Sequence, residues 1–392
     1  MRKTGTRLAA AALVALLALI WLACGNEFRP VATPIFPPGG DPQGQRQAVS
    51  INNAGGAIGS TTNINVSGDT VVASHTVGRG PVQAATTPGG ARIFVVNLGD
   101  DSVSSYATAQ AGSVPVTISM PAGSAPVFAH TRQSSAMYVA NSGTGTVGVI
   151  NAATNLLTDL VNVGSGPGSK PVSLAELPSA TKLYCVNQND GTVTVISTVD
   201  KLVVATIGVG NMPSFAVTND TGAWVFVANQ ADGTVSVIDT ATDMVHGTIT
   251  VGNGPNFLFF DNSLKRVYVT NSTGNSVSII RTDVDPTLNL PVTVTVGATP
   301  LSVTALADGS RAYVANSGSG NVSVIVTSNN TVSKTITVGT NPVSIASSSD
   351  GSKVYVTNRG SNNVSIIRTT DDTVVLNAPT TSSQPVWVLT VP

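Results

Sequence analysis

The sequence predicts an all-β fold, a single β-propeller of four-stranded blades, and three observations carry that prediction. Asparagines recur at Asn97, Asn141, Asn187, Asn229, Asn271, Asn316 and Asn358, 42 to 46 residues apart, each closing a β-rich quartet. Prolines at Pro81, Pro126, Pro171, Pro213, Pro255, Pro300 and Pro342 keep the same period, most of them shortly after a Val-Gly pair, and Pro385 stands in the matching place. Between these landmarks, short runs of Val, Ile, Tyr and Phe alternate with Gly, Asn and Asp turns. A period of about forty-three residues is that of a four-stranded blade.

Composition narrows the function. Charged residues make up 10% of the 392-residue chain and the net charge is -1, so the surface is covered by Ser, Thr, Asn and Gly. Nucleic-acid binding, which needs a basic stripe to displace counterions, is excluded on that ground. The two cysteines, Cys24 and Cys185, imply no disulfide framework.

In chain order, residues 1–24 read as an export signal. Arg2, Lys3 and Arg7 supply a positive start, and Leu8 to Ala23 is an uncharged run of sixteen residues, short for a membrane span. The run ends in "LACG", which resembles the bacterial lipoprotein signal, with Cys24 as the lipidated residue and Ala23 as the small residue before it. Simple cleavage between Ala23 and Gly25, giving a secreted or periplasmic protein, and an uncleaved anchor are the alternatives. Residues 25–47 form a tether: Arg29 to Gln47 holds five prolines and three glycines with no alternation. The propeller occupies residues 48–392.

Within the body, the stretch from Val235 to Asn271 gives the plan of a blade. "VSVI" is a strand, "TATD" a turn, "MVHGTITVG" a second strand, "NFLFFD" an inner strand after the loop "NGP", and "RVYVTN" the strand that follows. Near-continuous apolar content fits sheets buried on both faces. The landmarks are expected to be structural. Glycines such as Gly252 and Gly339 supply a positive φ, proline opens the inner strand, and asparagine holds the turn after it.

The number of blades follows from the ends. "PVWVLTV" at the C-terminus has the form of an inner strand, "VSINN" around Asn52 that of the next, and "TTNINVSGDTVVASHTVGRGP" that of two outer strands. The two termini together then complete one blade, which favours eight over seven.

The phrases "YVTN", "YVAN" and "FVAN", each followed by a Gly/Asn turn and "VSVI" or "VSII", resemble the YVTN family of β-propeller repeats of bacterial and archaeal surface and exported proteins. The resemblance covers Thr62 to Pro392. It implies a propeller of seven or so blades and extends distantly to propeller lactonases and amine-dehydrogenase-like propellers. The repeat is scaffold, so no catalytic residue is carried over from it.

Chemistry is sparse. His75, His130 and His246 lie in different repeats without metal-ligand spacing, and His75 and His246 are expected to be exposed on outer strands. Cys185, in "YCVN", reads as a small buried hydrophobe. His130 and Glu176, on inner strands of consecutive blades, are the one acid/base pair the sequence offers. "GDDS" at Gly99 and "DVDP" at Asp283 carry carboxylates that suit calcium, or solvated loops; two carboxylates alone are too few for the ion, so no metal and no cofactor is expected.

Two residues past each landmark proline stand Gln83, Phe128, Ser173, Phe215, Phe257, Ser302, Ser344 and Trp387. Inner strands surround the channel, so these residues are the candidate ligand contacts, four aromatics among small polar groups; the alternative is that the rings fill space between blades. The function expected is a non-enzymatic, exported, lipid-anchored binding scaffold at the cell envelope, its partner an envelope protein, a glycan or a small ligand. A lactonase-like hydrolase working at the channel mouth and a purely structural envelope protein are the alternatives.

Overall fold

The computed structural model describes residues 46–109 and 112–391. The export signal, Cys24 and the tether up to residue 45 lie outside the described residues. Eight four-stranded antiparallel sheets form the blades of an eight-bladed β-propeller. Numbered by their inner strands, blade 1 opens at Pro81–Thr86, blade 2 at Pro126–His130, blade 3 at Pro171–Glu176 and blade 4 at Pro213–Thr218. Blade 5 opens at Pro255–Asp261, blade 6 at Pro300–Ala305, blade 7 at Pro342–Ser347 and blade 8 at Pro385–Val391. In each, the inner strand begins at the landmark proline and the second strand ends at the landmark asparagine.

Blade 8 closes the ring as the termini predict. Its inner strand comes from the C-terminal side, and Gln47–Asn52, Ile58–Asn65 and Val71–Arg79 from the N-terminal side. Gln47 pairs with Val391 and Asn52 with Pro385 across the join, so the first strand begins at Gln47, one residue before the expected start of the body. Thr381 adds hydroxyl contacts to Ser60 at 2.9 Å and Thr62 at 3.0 Å.

The landmark asparagines are fully buried and reach past the turn to the next strand. Asn187 Nδ2 donates to Thr192 and Thr194 hydroxyls at 3.0 and 2.9 Å; Asn271 Nδ2 donates to Ser276 and Ser278, both at 3.0 Å. Each asparagine thus pins the second strand to the third.

The glycine expectation is overturned. Gly252 and Gly339 do not have positive φ. They are glycine because a Cβ on Gly252 would lie 2.6 Å from Asn271 Nδ2, and one on Gly339 2.7 Å from Asn358 Cβ. The left-handed residue is instead the one before each proline: Gly80, Ala125, Lys170, Met212, Gly254, Thr299, Asn341 and Gln384, with φ between 45° and 57°, or 67° at Gly254. The carbonyl of each accepts the N–H of the residue after a landmark asparagine, from Leu98 to Gly80 through to Asn53 to Gln384, at 2.8–3.1 Å. That repeated bond offsets the strain of a left-handed non-glycine residue, which is greatest at β-branched Thr299.

Between blades the core is apolar. Tyr138, Tyr184, Tyr268, Tyr313 and Tyr355, each three residues before its asparagine, are 0–1% exposed. Some carry a polar clasp to the next blade. Tyr184 donates to Asp243 Oδ1 at 2.7 Å while Lys182 pairs with Asp243 Oδ2, also at 2.7 Å. Tyr313 and Arg311 hold Asp372 in the same way at 2.6 and 2.8 Å. Both aspartates occupy the left-handed position of an outer hairpin, with φ of 53° and 55°.

Candidate functional site

The site is built by a backbone irregularity. In blade 5, Pro255 pairs with Asn271 and Phe257 with Thr270, so one extra residue is inserted at the start of the inner strand; the same shift occurs in the inner strand of every blade. Such a bulge bends the strand and re-aims its side chains.

Four of the eight candidate contacts meet one another. Phe128 lies edge-on to Phe215 with ring centroids 5.6 Å apart, Phe215 is 4.6 Å from Phe257, and Phe257 is 6.4 Å from Trp387. These rings come from blades 2, 4, 5 and 8, so the chain of contacts runs across the channel as well as along its wall. Phe128, Phe257 and Trp387 are shared walls of two cavities of about 330 and 370 Å³. The rings also back onto the interblade cores, and Phe128 is only 9% exposed.

The polar members are tied to the scaffold. Gln83 Oε1 accepts from Ala129 N at 2.8 Å and its Nε2 donates to Ala129 O at 3.1 Å, joining blade 1 to blade 2. Ser173 Oγ accepts from Ala216 N and Ser344 Oγ from Val388 N, each at 3.2 Å and each across a blade boundary. Ser302 is buried as well.

His130 and Glu176 are close in the fold but not bonded to each other. Glu176 is fully buried; its Oε2 accepts the backbone N–H of Arg132 at 2.5 Å and of Gln133 at 3.2 Å, and its Oε1 has no partner among the described residues. His130 Nε2 is buried and without a partner among the described residues. Burial pushes the imidazole down to about 4, against the opposing pull of the Glu176 charge, so it is neutral at physiological pH. Arg132 and Thr218, which sequence reasoning did not single out, line the smaller cavity with His130.

The other polar candidates lie elsewhere. His75, expected to be exposed, is 4% exposed: it stacks on Tyr106 with centroids 4.0 Å apart and contacts Thr61 Oγ1 at 3.3 Å, and its burial lowers its pKa. His246 is exposed and faces Asp285 at 2.9 Å. Cys185 is fully buried, which pushes its thiol up. In the acidic loops the carboxylates are engaged by donors. Asp100 accepts from Arg79 N at 2.9 Å, Asp101 from Gly123 N and Ala125 N at 2.7 Å, and Asp283 from the Arg281 guanidinium at 3.0 Å. Among the described residues no group of three His, Cys, Asp or Glu side chains is placed to hold a metal.

An aromatic-walled channel within eight blades defines the class of the chain as a β-propeller, and comparison with solved structures agrees. The dihydro-heme d1 dehydrogenase NirN in complex with DHE superposes with a TM-score of 0.74 at 12% identity, over 92% of this chain and 78% of that one. AztD from Citrobacter koseri gives 0.67 at 11% identity, over 88% and 98%. Virginiamycin B lyase from Staphylococcus aureus gives 0.58 at 13% identity, over 71% and 91%. Identities this low speak for the fold alone. No family model and no curated protein matches the sequence.

Proposed function

We infer that the chain is a non-enzymatic, exported binding propeller at the cell envelope, held to a membrane by a lipid on Cys24, and that its channel receives a small, flat, largely apolar ligand. The observation that carries this reading is the contact chain Phe128–Phe215–Phe257–Trp387, whose rings wall a cavity of about 330 Å³. Few polar groups on a mainly aromatic wall are the makeup of a small-molecule site. The in-register YVTN-like repeats and the N-terminal segment support the location.

Thermal-shift screening of the purified protein against flat aromatic and glycan ligands tests the reading, with Phe257→Ser as the decisive variant. Phe257 is half-buried, so the variant is expected to lose binding with a modest fall in Tm. Phe128→Ser, at a buried position, should instead cost about 3–5 kcal/mol of stability. Unfolding of Phe257→Ser, or binding unchanged in it, defeats the reading. The anchor is tested separately: Cys24→Ser should leave the membrane fraction or remain as uncleaved precursor, and a processed mutant still retained on the membrane rules out lipidation.

A second reading, lactone hydrolysis, is favoured by one observation, the neutral His130 imidazole on the cavity lining close to the buried Glu176 carboxylate. Lactone turnover by the wild type that is lost in His130→Ala would establish it.

A further inference from the structure

The cavity of about 330 Å³ has one charged side chain on its lining, Arg132. Its Nη1 donates to Thr218 Oγ1 and, at 3.3 Å, to Asn219 O, which fixes the guanidinium from one corner. Among the described residues its Nε and Nη2 make no hydrogen bond and the group forms no ion pair. The nearby carboxylates are committed elsewhere. Glu176 takes the Arg132 and Gln133 backbone N–H groups on Oε2, and Asp220 is held by Lys265 Nζ at 2.6 Å. What faces the cavity is therefore a positioned cationic fork, partly desolvated, at the end of an aromatic wall.

A guanidinium cannot shed its proton, and Arg132, the one charged group on the lining, sets the sign of the ligand group that meets it, with Glu176 and Asp220 offsetting part of its charge from behind. Its planar donors match a carboxylate in two-point contact. His130 lines the same cavity, but its Nε2 is buried, which leaves Arg132 as the charged group that meets a ligand there. On these grounds, and resting on the reading of the channel as a ligand site, we propose that the channel selects planar aromatic acids. The ring system lies against Phe215, Phe257 and Trp387, and the carboxylate meets the free edge of Arg132. The cavity volume suits a ligand of one or two fused rings.

Calorimetric titration of the full protein with 2-naphthoate, 2-naphthamide and the 2-naphthylmethylammonium ion tests this, because the three share a ring and differ in charge. Naphthoate should bind at least about tenfold more tightly than the amide, the effect of one charge-assisted contact, and the ammonium ion most weakly. Arg132→Gln should bring naphthoate down to the affinity of the amide while leaving the amide unchanged, and Arg132→Lys should keep part of the preference. Equal binding of acid and amide, or tighter binding of the ammonium ion, overturns the selectivity and leaves the aromatic site standing. Binding of none of the three overturns both. The comparison of ligands on the unmodified protein decides the matter even if Arg132→Gln does not fold.

Discussion

Gly252 and Gly339 lack a side chain because Asn271 and Asn358 occupy the space one would take, whereas Gly254 is glycine at a left-handed φ of 67°. In sequence the two kinds read alike. The difference predicts mutational behaviour: Gly252→Ala should lose about 1–3 kcal/mol by overpacking, while Gly208→Ala, where a Cβ meets nothing within 4 Å, should be neutral or slightly stabilising. Urea denaturation of the two variants checks this, and equal losses would refute the close-approach account. Other residue-level readings failed for related reasons. His75 lies on an outer strand, and its burial depends on Tyr106 and Ser113 of the neighbouring blade, which no local pattern reveals. Arg132 lies just beyond the inner strand of blade 2, so neither landmark drew attention to it.

At the scale of the element, the hairpin clasp has a natural exception. Between blades 2 and 3 the cation of the second strand is replaced by Ala136 and the aspartate of the outer hairpin by Lys201, which sits 5.6 Å over the Tyr138 ring, and among the described residues no carboxylate accepts from the Tyr138 hydroxyl as Asp243 does from Tyr184. Installing the missing clasp as the double variant Ala136→Lys with Lys201→Asp should stabilise the protein by about 1 kcal/mol, since exposed ion pairs are weak and the gain comes largely from the tyrosine hydroxyl. Ala136→Lys alone should destabilise, because it faces Lys201. The urea midpoints of the double and single variants test this; a double variant no more stable than the wild type would show that the clasp adds nothing. Strand positions were legible in the sequence at this scale, because the runs of Val, Ile and Tyr are punctuated by turn residues. The bulge after each proline was not. It adds one residue without disturbing the apolar run, yet it aims the channel rings.

For the whole molecule, the eightfold ring was readable because Asn52 and Pro385 extend the two landmark series beyond the seven complete repeats. Each repeat buries its faces against its neighbours, so the period alone dictates a closed array. The chemistry inside the ring was less legible: the positions two residues past the prolines could be named, but not which of them would meet across the lumen and which would latch one blade to the next. Deleting 380–392 removes the inner strand of blade 8 and the Thr381 contacts, and should lower Tm sharply and broaden the transition. Unchanged melting would refute closure by the shared blade. The same join has a mechanical side. The strand Gln47–Asn52 is hydrogen-bonded on both sides, to Ile58–Asn65 and to Pro385–Val391. Any force transmitted through residue 46, as from a tether under tension, therefore enters an interior strand, and pulling it free means breaking two ladders together, where an edge strand would release one.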